Sequence, residues 1–485
     1  MQDDFQSIAN ATTDFQPSPM QAVLDFYRCP REFLDLGLSR ELSANPGYFQ
    51  FGAGTTCYGR SFEGFGQPRL TSLPSDMLAT FPLDDEHPVM PFNPTEVIDN
   101  LRLERYPSVQ FAGSEVALKS IYYWLRPFTT RRLRRYIQKL RAVNWQQKQF
   151  PRWPVDTTVE TICEDLALAS MQTKGIDRVP FIWFWPDAAR GCVSMTHDVE
   201  TSEGQAFCRE VIDIDDEYGI KGAYQIVPEG RYPVTPEFLA SLRERGCEVC
   251  IQDLNHDGRL FDERNEFLRR AARINDYGRK FGAKGFRSAV LYRKPDWYKD
   301  LDFSYDMSMP NVAHLDPQRG GCCTVFPYFI GDVLELPLTT IQDYTLFHVL
   351  NERSTELWKK QIEMILAKNG LVSFIVHPDY IIEPDTRAVY RGLLAVLAEF
   401  RKAESLWFAL PGAIDEWWRA RSRMSLVKDG ETWRIVGEGA GRAVLAFAKV
   451  VDGKLVYELA NSSGEAATGQ TQSSNTVLPL LVHEG

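Results

Sequence analysis

The side chains best suited to chemistry lie in the segment THDVE, residues 196–200. The preceding residues, CVSM (192–195), are mostly apolar and predict a short buried strand that ends in His197, Asp198 and Glu200. Because α/β folds build their sites at the carboxyl ends of strands, such a cluster is typical of an active site. The alternative is a strand followed by a charged turn.

Two more of the seven histidines follow predicted strands. His377 ends the apolar segment LVSFIVH (371–377), and His256 lies in QDLNHDG (252–258), after the strand CEVCI (247–251). If these strands belong to one barrel, their histidines can converge with nearby carboxylates at one mouth. Carboxylate and imidazole ligands without thiolate suit a hydrolytic Zn, Mn, Co or Ni site, where the ion polarises an acyl oxygen.

The middle of the chain alternates predicted strands and helices. Predicted strands span 192–197, 222–227, 247–251, 284–290 and 371–377, and predicted helices span 204–218, 235–246, 262–282, 356–370 and 387–403. Thr235 and Pro236 mark the start of one helix, and Gly282 closes the next. This alternation predicts an α/β protein with a mainly parallel sheet or barrel.

Three parts are expected along the chain. Residues 1–185 form an N-terminal accessory region that is rich in aromatic residues and proline, with helical periodicity over 117–143 and 158–171. Residues 186–420 form the barrel. Residues 421–485 form a small β-rich module in which 461–475 has the composition of a flexible loop.

The composition is that of a globular protein, with 44% hydrophobic and 25% charged residues. A net charge of −11 argues against nucleic acid as a partner, because binding phosphates requires a basic surface. No apolar stretch approaches the ~20 residues that span a bilayer, and the start of the chain lacks the pattern of a signal peptide. Nine scattered cysteines indicate reduced thiols, so we expect a cytoplasmic protein. The oligomeric state stays open.

In their order along the chain, these motifs resemble those of the polysaccharide deacetylase (NodB-homology, carbohydrate esterase) family over roughly residues 188–410. The likeness is greatest to a divergent bacterial branch in which the first motif reads HDVD or HDVE. The resemblance implies a distorted (β/α) barrel that removes acyl groups from glycans. It also implies a divalent metal, Zn first and Co, Ni or Mn as alternatives.

The resemblance assigns roles to five residues. Asp198 would be the general base on the attacking water and would also join the metal ligands, and Glu200 would be the metal carboxylate, although the two acids could exchange roles. Arg287, which follows the family motif without its proline, would pair with the base. His377 would be the general acid, with Asp379 orienting its imidazole.

The second family motif, H-x-x-x-H, departs from its pattern in this sequence. His256 matches the second histidine as a metal ligand, whereas Gln252 stands in the position of the first. An amide oxygen is a poorer zinc ligand than imidazole, so the ion is either held differently or absent. Asp253 could substitute, although strand alternation points it the other way.

The remaining motif residues are expected to line the substrate groove. They are His197, Asp306, Ser308, Gln342, Asp343 and Asp379.

The leading hypothesis is metal-assisted hydrolysis of an acyl group, most simply acetyl, from an N- or O-acetylated sugar or glycan. One alternative is a non-catalytic glycan-binding or scaffold protein that lost the metal site through Gln252. Another is a metal-independent amidohydrolase. The sequence identifies neither the sugar nor the linkage.

Overall fold

The computed structural model describes residues 18–38, 41–52, 54–62, 65–70, 76–77, 89–107, 145 and 148–460. The helix predicted over 117–143, the loop at 461–475 and the β-type segment TVLPLLVH that follows it lie outside the described residues. Within the described ranges, every helix is too short or too polar to cross a bilayer.

The strands of the described chain are numbered in sequence order. They are β1 (Gly37–Leu38), β2 (Gly47–Phe51), β3 (Thr55–Gly59), β4 (Val89–Met90), β5 (Arg178–Ile182), β6 (Gly191–Val199), β7 (Gly222–Ile226), β8 (Glu248–Gln252), β9 (Gly285–Arg287), β10 (Tyr305–Asp306), β11 (Tyr328–Ile330), β12 (Val333–Glu335), β13 (Leu371–Val376), β14 (Leu406–Phe408), β15 (Ser425–Asp429), β16 (Thr432–Val436), β17 (Leu445–Val451) and β18 (Lys454–Leu459).

The α-helices are numbered in the same way. They are α1 (Gln21–Tyr27), α2 (Arg31–Leu34), α3 (Pro94–Arg102), α4 (Thr158–Thr173), α5 (Ser202–Glu217), α6 (Pro236–Glu244), α7 (Arg264–Phe281), α8 (Glu356–Leu366), α9 (Pro384–Ala403) and α10 (Pro411–Arg423). A π-helix spans Thr345–Leu350, and a 3-10 helix spans Pro378–Ile381.

One curled, mainly parallel sheet forms the centre of the protein. Its strand order is β11-β12-β10-β9-β8-β7-β6-β13, and β14 also pairs with β6. β6 runs parallel to its three partners β7, β13 and β14, while β11 is antiparallel to β12. Helices α5 to α9 connect or follow the parallel strands. The predicted fold class, an α/β protein with a distorted barrel, is confirmed.

Among the described residues, no backbone ladder joins β12 to β13, and side-chain hydroxyl groups bridge this gap in the barrel. Thr339 Oγ1 donates to the carbonyl of Leu371 at 2.7 Å, and Thr340 Oγ1 donates to the carbonyl of Ser373 at 2.7 Å. The amide of Ser373 donates to Thr339 Oγ1 at 2.9 Å. Hydroxyl groups therefore satisfy the edge of β13 that a neighbouring strand would otherwise cover.

Local signals in the sequence account for the ends of the barrel helices. Thr201 Oγ1 accepts a hydrogen bond from Gly204 N at 3.0 Å at the start of α5, and Thr235 Oγ1 caps α6 in the same way, from Phe238 N at 3.2 Å. Gly282 adopts a φ of 59° and ends α7 in the left-handed conformation that favours glycine. These caps fix where the chain leaves each helix to enter the next strand.

A second sheet joins the segments before and after the barrel. Its order is β18-β17-β5, with Ala448 of β17 opposite Val179 of β5. The hydroxyl groups of Tyr27 and Tyr457 lie 2.8 Å apart and extend this contact to α1. One continuous hydrophobic core runs through the N-terminal region, the barrel and the C-terminal strands. Backbone hydrogen bonds of this sheet therefore join the predicted accessory region to the predicted C-terminal module.

Helix α4 is anchored to the barrel by a buried carboxyl group. Glu160 Oε1 accepts hydrogen bonds from the hydroxyl of Thr324 and, at 3.2 Å, from Val325 N. Glu160 is 0% exposed, and its other oxygen, Oε2, has no hydrogen-bond partner in the described part of the chain. Burial raises the pKa of Glu160 to about 7, and the two hydrogen bonds oppose that rise only in part.

Because the folded pKa of Glu160 lies above its ordinary value of about 4.3, the folded protein binds this proton more tightly than the unfolded chain does. This group therefore lowers the free energy of unfolding as pH rises through the window between the two pKa values. We expect the free energy of unfolding of Glu160→Gln to fall less than that of wild type over this pH range, by up to about 3 kcal/mol. Urea unfolding at pH 5 and pH 8 measures it, with the exposed Glu210→Gln as the control. Equal pH dependence in wild type and Glu160→Gln would contradict the assignment.

Candidate active site

Five functional side chains meet at the carboxyl-terminal edge of the central sheet. Asp198 lies near the end of β6, Gln252 ends β8 and Arg287 ends β9. Glu200 follows β6 directly, and His377 follows β13 directly. Parallel pairing brings these ends together, since His197 lies opposite Val376 and Gln252 opposite Arg287 in the ladders. The arrangement matches the edge at which α/β folds place their sites.

Asp198 is held between a cation and an amide. Arg287 Nη1 lies 2.5 Å from Asp198 Oδ1, and Gln252 Nε2 donates to Asp198 Oδ2 at 2.9 Å. Arg287 is itself fixed, because Nη1 also donates to Thr196 Oγ1 at 2.8 Å and Nε donates to the carbonyl of Met307 at 3.0 Å. Asp198 and Arg287 are 3% and 2% exposed, so each charge depends on the other for compensation away from water.

Glu200 lies between two imidazoles and is more exposed than its neighbours. Its Oε1 is 2.7 Å from His256 Nε2 and 3.4 Å from His377 Nε2. Burial would raise the pKa of Glu200, but the charges of these imidazoles hold it well below its usual range. Burial likewise opposes protonation of the imidazoles, yet Glu200 raises the pKa of His256, and Asp343 together with Glu200 raises that of His377 well above its usual value. The cluster is an alternation of opposite charges.

Asp343 orients His377 through two hydrogen bonds. Asp343 Oδ1 lies 2.7 Å from His377 Nδ1, and Asp343 Oδ2 accepts from the backbone amide of His377 at 2.7 Å. The ring therefore directs Nε2 toward Glu200. From the sequence, Asp379 was expected to orient His377, with Asp343 in the groove wall. Asp379 instead leaves Oδ1 buried without a hydrogen-bond partner in the described chain, and burial raises its pKa to about 6.

The donor set of this cluster fits a divalent cation. Ligand atoms of Asp198, Glu200 and His377 all lie within 4.8 Å of one another. His256 Nε2 is buried and has no hydrogen-bond partner among the described residues, because Glu200 Oε1, although close, lies off the hydrogen-bond direction. A buried imidazole nitrogen that faces a carboxylate at 2.7 Å without a well-directed hydrogen bond is suited to a Zn, Co, Ni or Mn ion.

Gln252 occupies the space between the two carboxylates. Its Nε2 donates to Asp198 Oδ2 at 2.9 Å and lies 3.1 Å from Glu200 Oε1, while Oε1 has no hydrogen-bond partner in the described chain. Rotating the amide by half a turn would exchange the two atoms and bring Oε1 toward the carboxylates, which is favourable only with a cation between them. The position of Gln252 is thus compatible with the weak third ligand that the sequence suggested.

The other residues predicted to line the groove lie in the surrounding layer. Asp306 and Ser308 are 1% and 0% exposed, and the Ser308 hydroxyl donates to Asp306 Oδ1 at 2.9 Å. Burial and the neighbouring Asp306 carboxyl raise the pKa of Glu335 well above its usual range, so Glu335 is the acid of the Asp306–Glu335 pair that keeps its proton. Gln342 is half-buried and donates to Asp316 Oδ1 at 3.1 Å. Of these, Gln342 is accessible to solvent.

His197 lies on the opposite face of β6 from Asp198. Its Nε2 is 2.9 Å from Asp215 Oδ2 of α5, and its ring packs on Tyr224 at 4.9 Å between centroids. The side chain is 0% exposed. Because successive residues of a strand point to opposite faces, a histidine directly before Asp198 turns away from the site. His197 therefore joins β6 to α5 and is not brought to the cluster.

Sequence reasoning missed Arg231, which lies in the loop after β7. Arg231 Nη2 donates to the carbonyl of His256 at 2.5 Å and lies 3.4 Å from His256 Nδ1. The loop sequence PEGRYP has no periodicity and no family motif, so nothing in it signals a contact with a residue 25 positions away.

No family model and no curated protein matches the sequence. Solved structures match about half of the chain. A candidate polysaccharide deacetylase from Mycobacterium smegmatis is 17% identical with a TM-score of 0.41, and the match covers 51% of this chain and 96% of that one. The allantoinase PuuE is 13% identical with a TM-score of 0.39, covering 49% and 92%. A family 4 acetyl xylan esterase from Clostridium thermocellum, in complex with cobalt, is 14% identical with a TM-score of 0.31, covering 47% and 91%. At these values, function has to be argued from the site.

We expect Gln252→His to strengthen the binding of Zn²⁺ or Mn²⁺ by about 10–100-fold, the scale on which one coordinating or orienting group acts. The reason is that an imidazole would replace an amide beside Glu200 and His256. Isothermal titration calorimetry on the metal-depleted protein measures this affinity. Gln205→His, on the outer surface of α5, is the control. Unchanged affinity in Gln252→His would mean that position 252 does not face the ion.

Proposed function

We propose that the protein is a hydrolase that removes an acyl group, most simply acetyl, from an N- or O-acylated sugar or glycan. One observation carries the proposal: a carboxylate held by an arginine and an imidazole held by a second carboxylate lie close together at one edge of the sheet. Asp198 and His377 place their ligand atoms within 4.8 Å of each other, and Glu200 stands with them. A base and an acid at this spacing can act on the two sides of one acyl carbon.

The residues divide the proton transfers between them. Asp198, whose Oδ1 is engaged by Arg287, receives the proton of the attacking water at Oδ2. His377 then delivers a proton from Nε2 to the departing nitrogen or oxygen, because Asp343 holds its Nδ1. Glu200 and His256 would hold a divalent ion, which when bound supplies stabilisation of the developing oxyanion and a more acidic water.

One further feature supports the proposed chemistry, and another concerns the compartment in which the protein acts. The order of motifs from Asp198 to His377 resembles that of glycan deacetylases. The nine free thiols support a reducing compartment such as the cytoplasm as the place of action.

We expect Asp198→Asn to lower kcat by about 10²–10⁴-fold, because the variant keeps the shape of the side chain and loses the base. Release of p-nitrophenol from p-nitrophenyl acetate measures turnover, and circular dichroism with thermal unfolding establishes that the fold is intact. The control is Asp213→Asn, which removes an exposed carboxylate of α5. Full activity in a folded Asp198→Asn protein would exclude Asp198 as the base.

A second candidate, a metal-independent amidohydrolase, is favoured by the amide of Gln252. A neutral donor already bridges Asp198 and Glu200, at 2.9 and 3.1 Å, where a cation would otherwise balance them.

Removal of metal with a chelator distinguishes the two candidates. For the metal-assisted hydrolase we expect turnover of p-nitrophenyl acetate to fall at least about tenfold after chelation and to return with added Zn²⁺, Co²⁺ or Mn²⁺. Turnover that persists in metal-free protein, and that is still lost in Asp198→Asn, would select the metal-independent candidate.

A further inference from the structure

Arg231 lies at the mouth of the site, and the described residues engage only part of its guanidinium. It is an exposed residue of the loop between β7 and α6. Its Nε donates to the carbonyl of Asn255 at 3.2 Å and its Nη2 to the carbonyl of His256 at 2.5 Å. Nη1 donates no hydrogen bond within the described part of the chain. The Nη1 edge of the guanidinium therefore remains for a ligand, while Nη2 lies 3.4 Å from His256 Nδ1.

Neighbouring arginines differ from Arg231 in having carboxylate partners. Arg273 binds Glu229 at 2.5 Å, and Arg270 binds Asp257 at 2.8 Å. The acceptors of Arg231 are two carbonyls, its Nη2 also lies 3.4 Å from His256 Nδ1, and in the described chain no carboxylate lies within ion-pair distance of it. A cation without a carboxylate partner among the described residues, in a protein with a net charge of −11, is a specific feature of this mouth.

The opposite side of the site is aromatic. The ring of Tyr380 stacks on that of His377 at 4.5 Å with an interplanar angle of 31°. Tyr344 and His348 lie 5.8 and 5.1 Å from Tyr380 and complete an aromatic wall of three half-buried rings. Tyr344 precedes and His348 belongs to the π-helix Thr345–Leu350, a local geometry that is frequent at functional sites.

Glu200 lies between the two sides. Its Oε1 is 2.7 Å from His256, which contacts Arg231, and 3.4 Å from His377, which contacts Tyr380. A ligand that reaches Glu200 therefore has aromatic rings on one flank and a guanidinium on the other. Aromatic rings suit the apolar face of a pyranose, and a guanidinium suits the planar fork of a carboxylate.

We propose that the substrate is an acidic sugar, an acylated glycan unit that carries a carboxylate bound by Arg231 while its ring packs against Tyr380 and Tyr344. This inference rests on the proposed hydrolase function and adds the substrate class to it. The carboxylate lies on the His256 side of the acyl group, and the leaving nitrogen or oxygen faces His377.

The test compares an N-acetylated hexosaminuronic acid with its methyl ester, which differ in charge and little else. We expect wild-type kcat/KM to be at least about tenfold higher for the acid, with the difference in KM, as for the loss of a hydrogen bond to a charged group. In Arg231→Gln the ratio of acid to ester should fall to about one. Arg231→Lys should keep part of the ratio, and Arg273→Gln should keep all of it.

The ratio of kcat/KM for the acid to that for the ester distinguishes recognition of the substrate by Arg231 from a structural role of Arg231 in holding His256. A purely structural role of Arg231 would lower both substrates equally and leave the ratio unchanged, which would overturn the proposal, as would a wild-type ratio near one. If neither sugar nor p-nitrophenyl acetate is hydrolysed, the hydrolase proposal fails on its own. In that case, calorimetry measures the binding of the acid and the ester to wild type and to Arg231→Gln. If wild type binds the acid selectively and Arg231→Gln loses this selectivity, the acidic-sugar site is supported. Equal binding of the two sugars to wild type overturns it.

Discussion

The ion pair between Asp198 and Arg287 is the constraint on which the site depends. Both groups are buried at the ends of β6 and β9, two strands that are separated by β7 and β8 in the sheet. Bringing either charge there alone would cost several kcal/mol, so the pair can form only when the sheet is complete. Arg287 also binds the carbonyl of Met307, after β10, so one guanidinium connects three strands across the barrel mouth. The chemistry of Asp198 is thus coupled to correct folding of the sheet.

The second half of the site follows from the same edge. His377 comes from β13, on the other side of β6, and is oriented by Asp343, which precedes the π-helix Thr345–Leu350. Between the Asp198 pair and the His377 pair stands Glu200, the more exposed carboxylate, with Gln252 bridging to Asp198. The site therefore has a carboxylate fixed by an arginine on one side, an imidazole fixed by a carboxylate on the other, and the more exposed Glu200 between them.

The segments outside the barrel pack against it and against each other. Strand β5 and strands β17 and β18 form one sheet, although more than 250 residues separate them. Glu160 ties α4 to Thr324. A hydrophobic pattern can predict that β17 is a strand, but not its partner, because ladder hydrogen bonds are the same for any two edges. Domain boundaries drawn from changes in composition therefore do not show this contact.

Local patterns were enough to predict the alternating strands and helices and the caps at Thr235 and Gly282, because hydrophobic period and cap chemistry are local. The grouping of Asp198, Glu200, His256 and His377 at one edge was predicted as well, because the carboxyl ends of parallel strands meet there. The fold determines which carboxylate holds His377: the sequence predicted Asp379, and folding brings Asp343 to the ring instead. It also decided that His197 turns to Asp215 and that Arg231 reaches His256. Such contacts join side chains across strands and loops, and their geometry depends on packing that no local pattern contains.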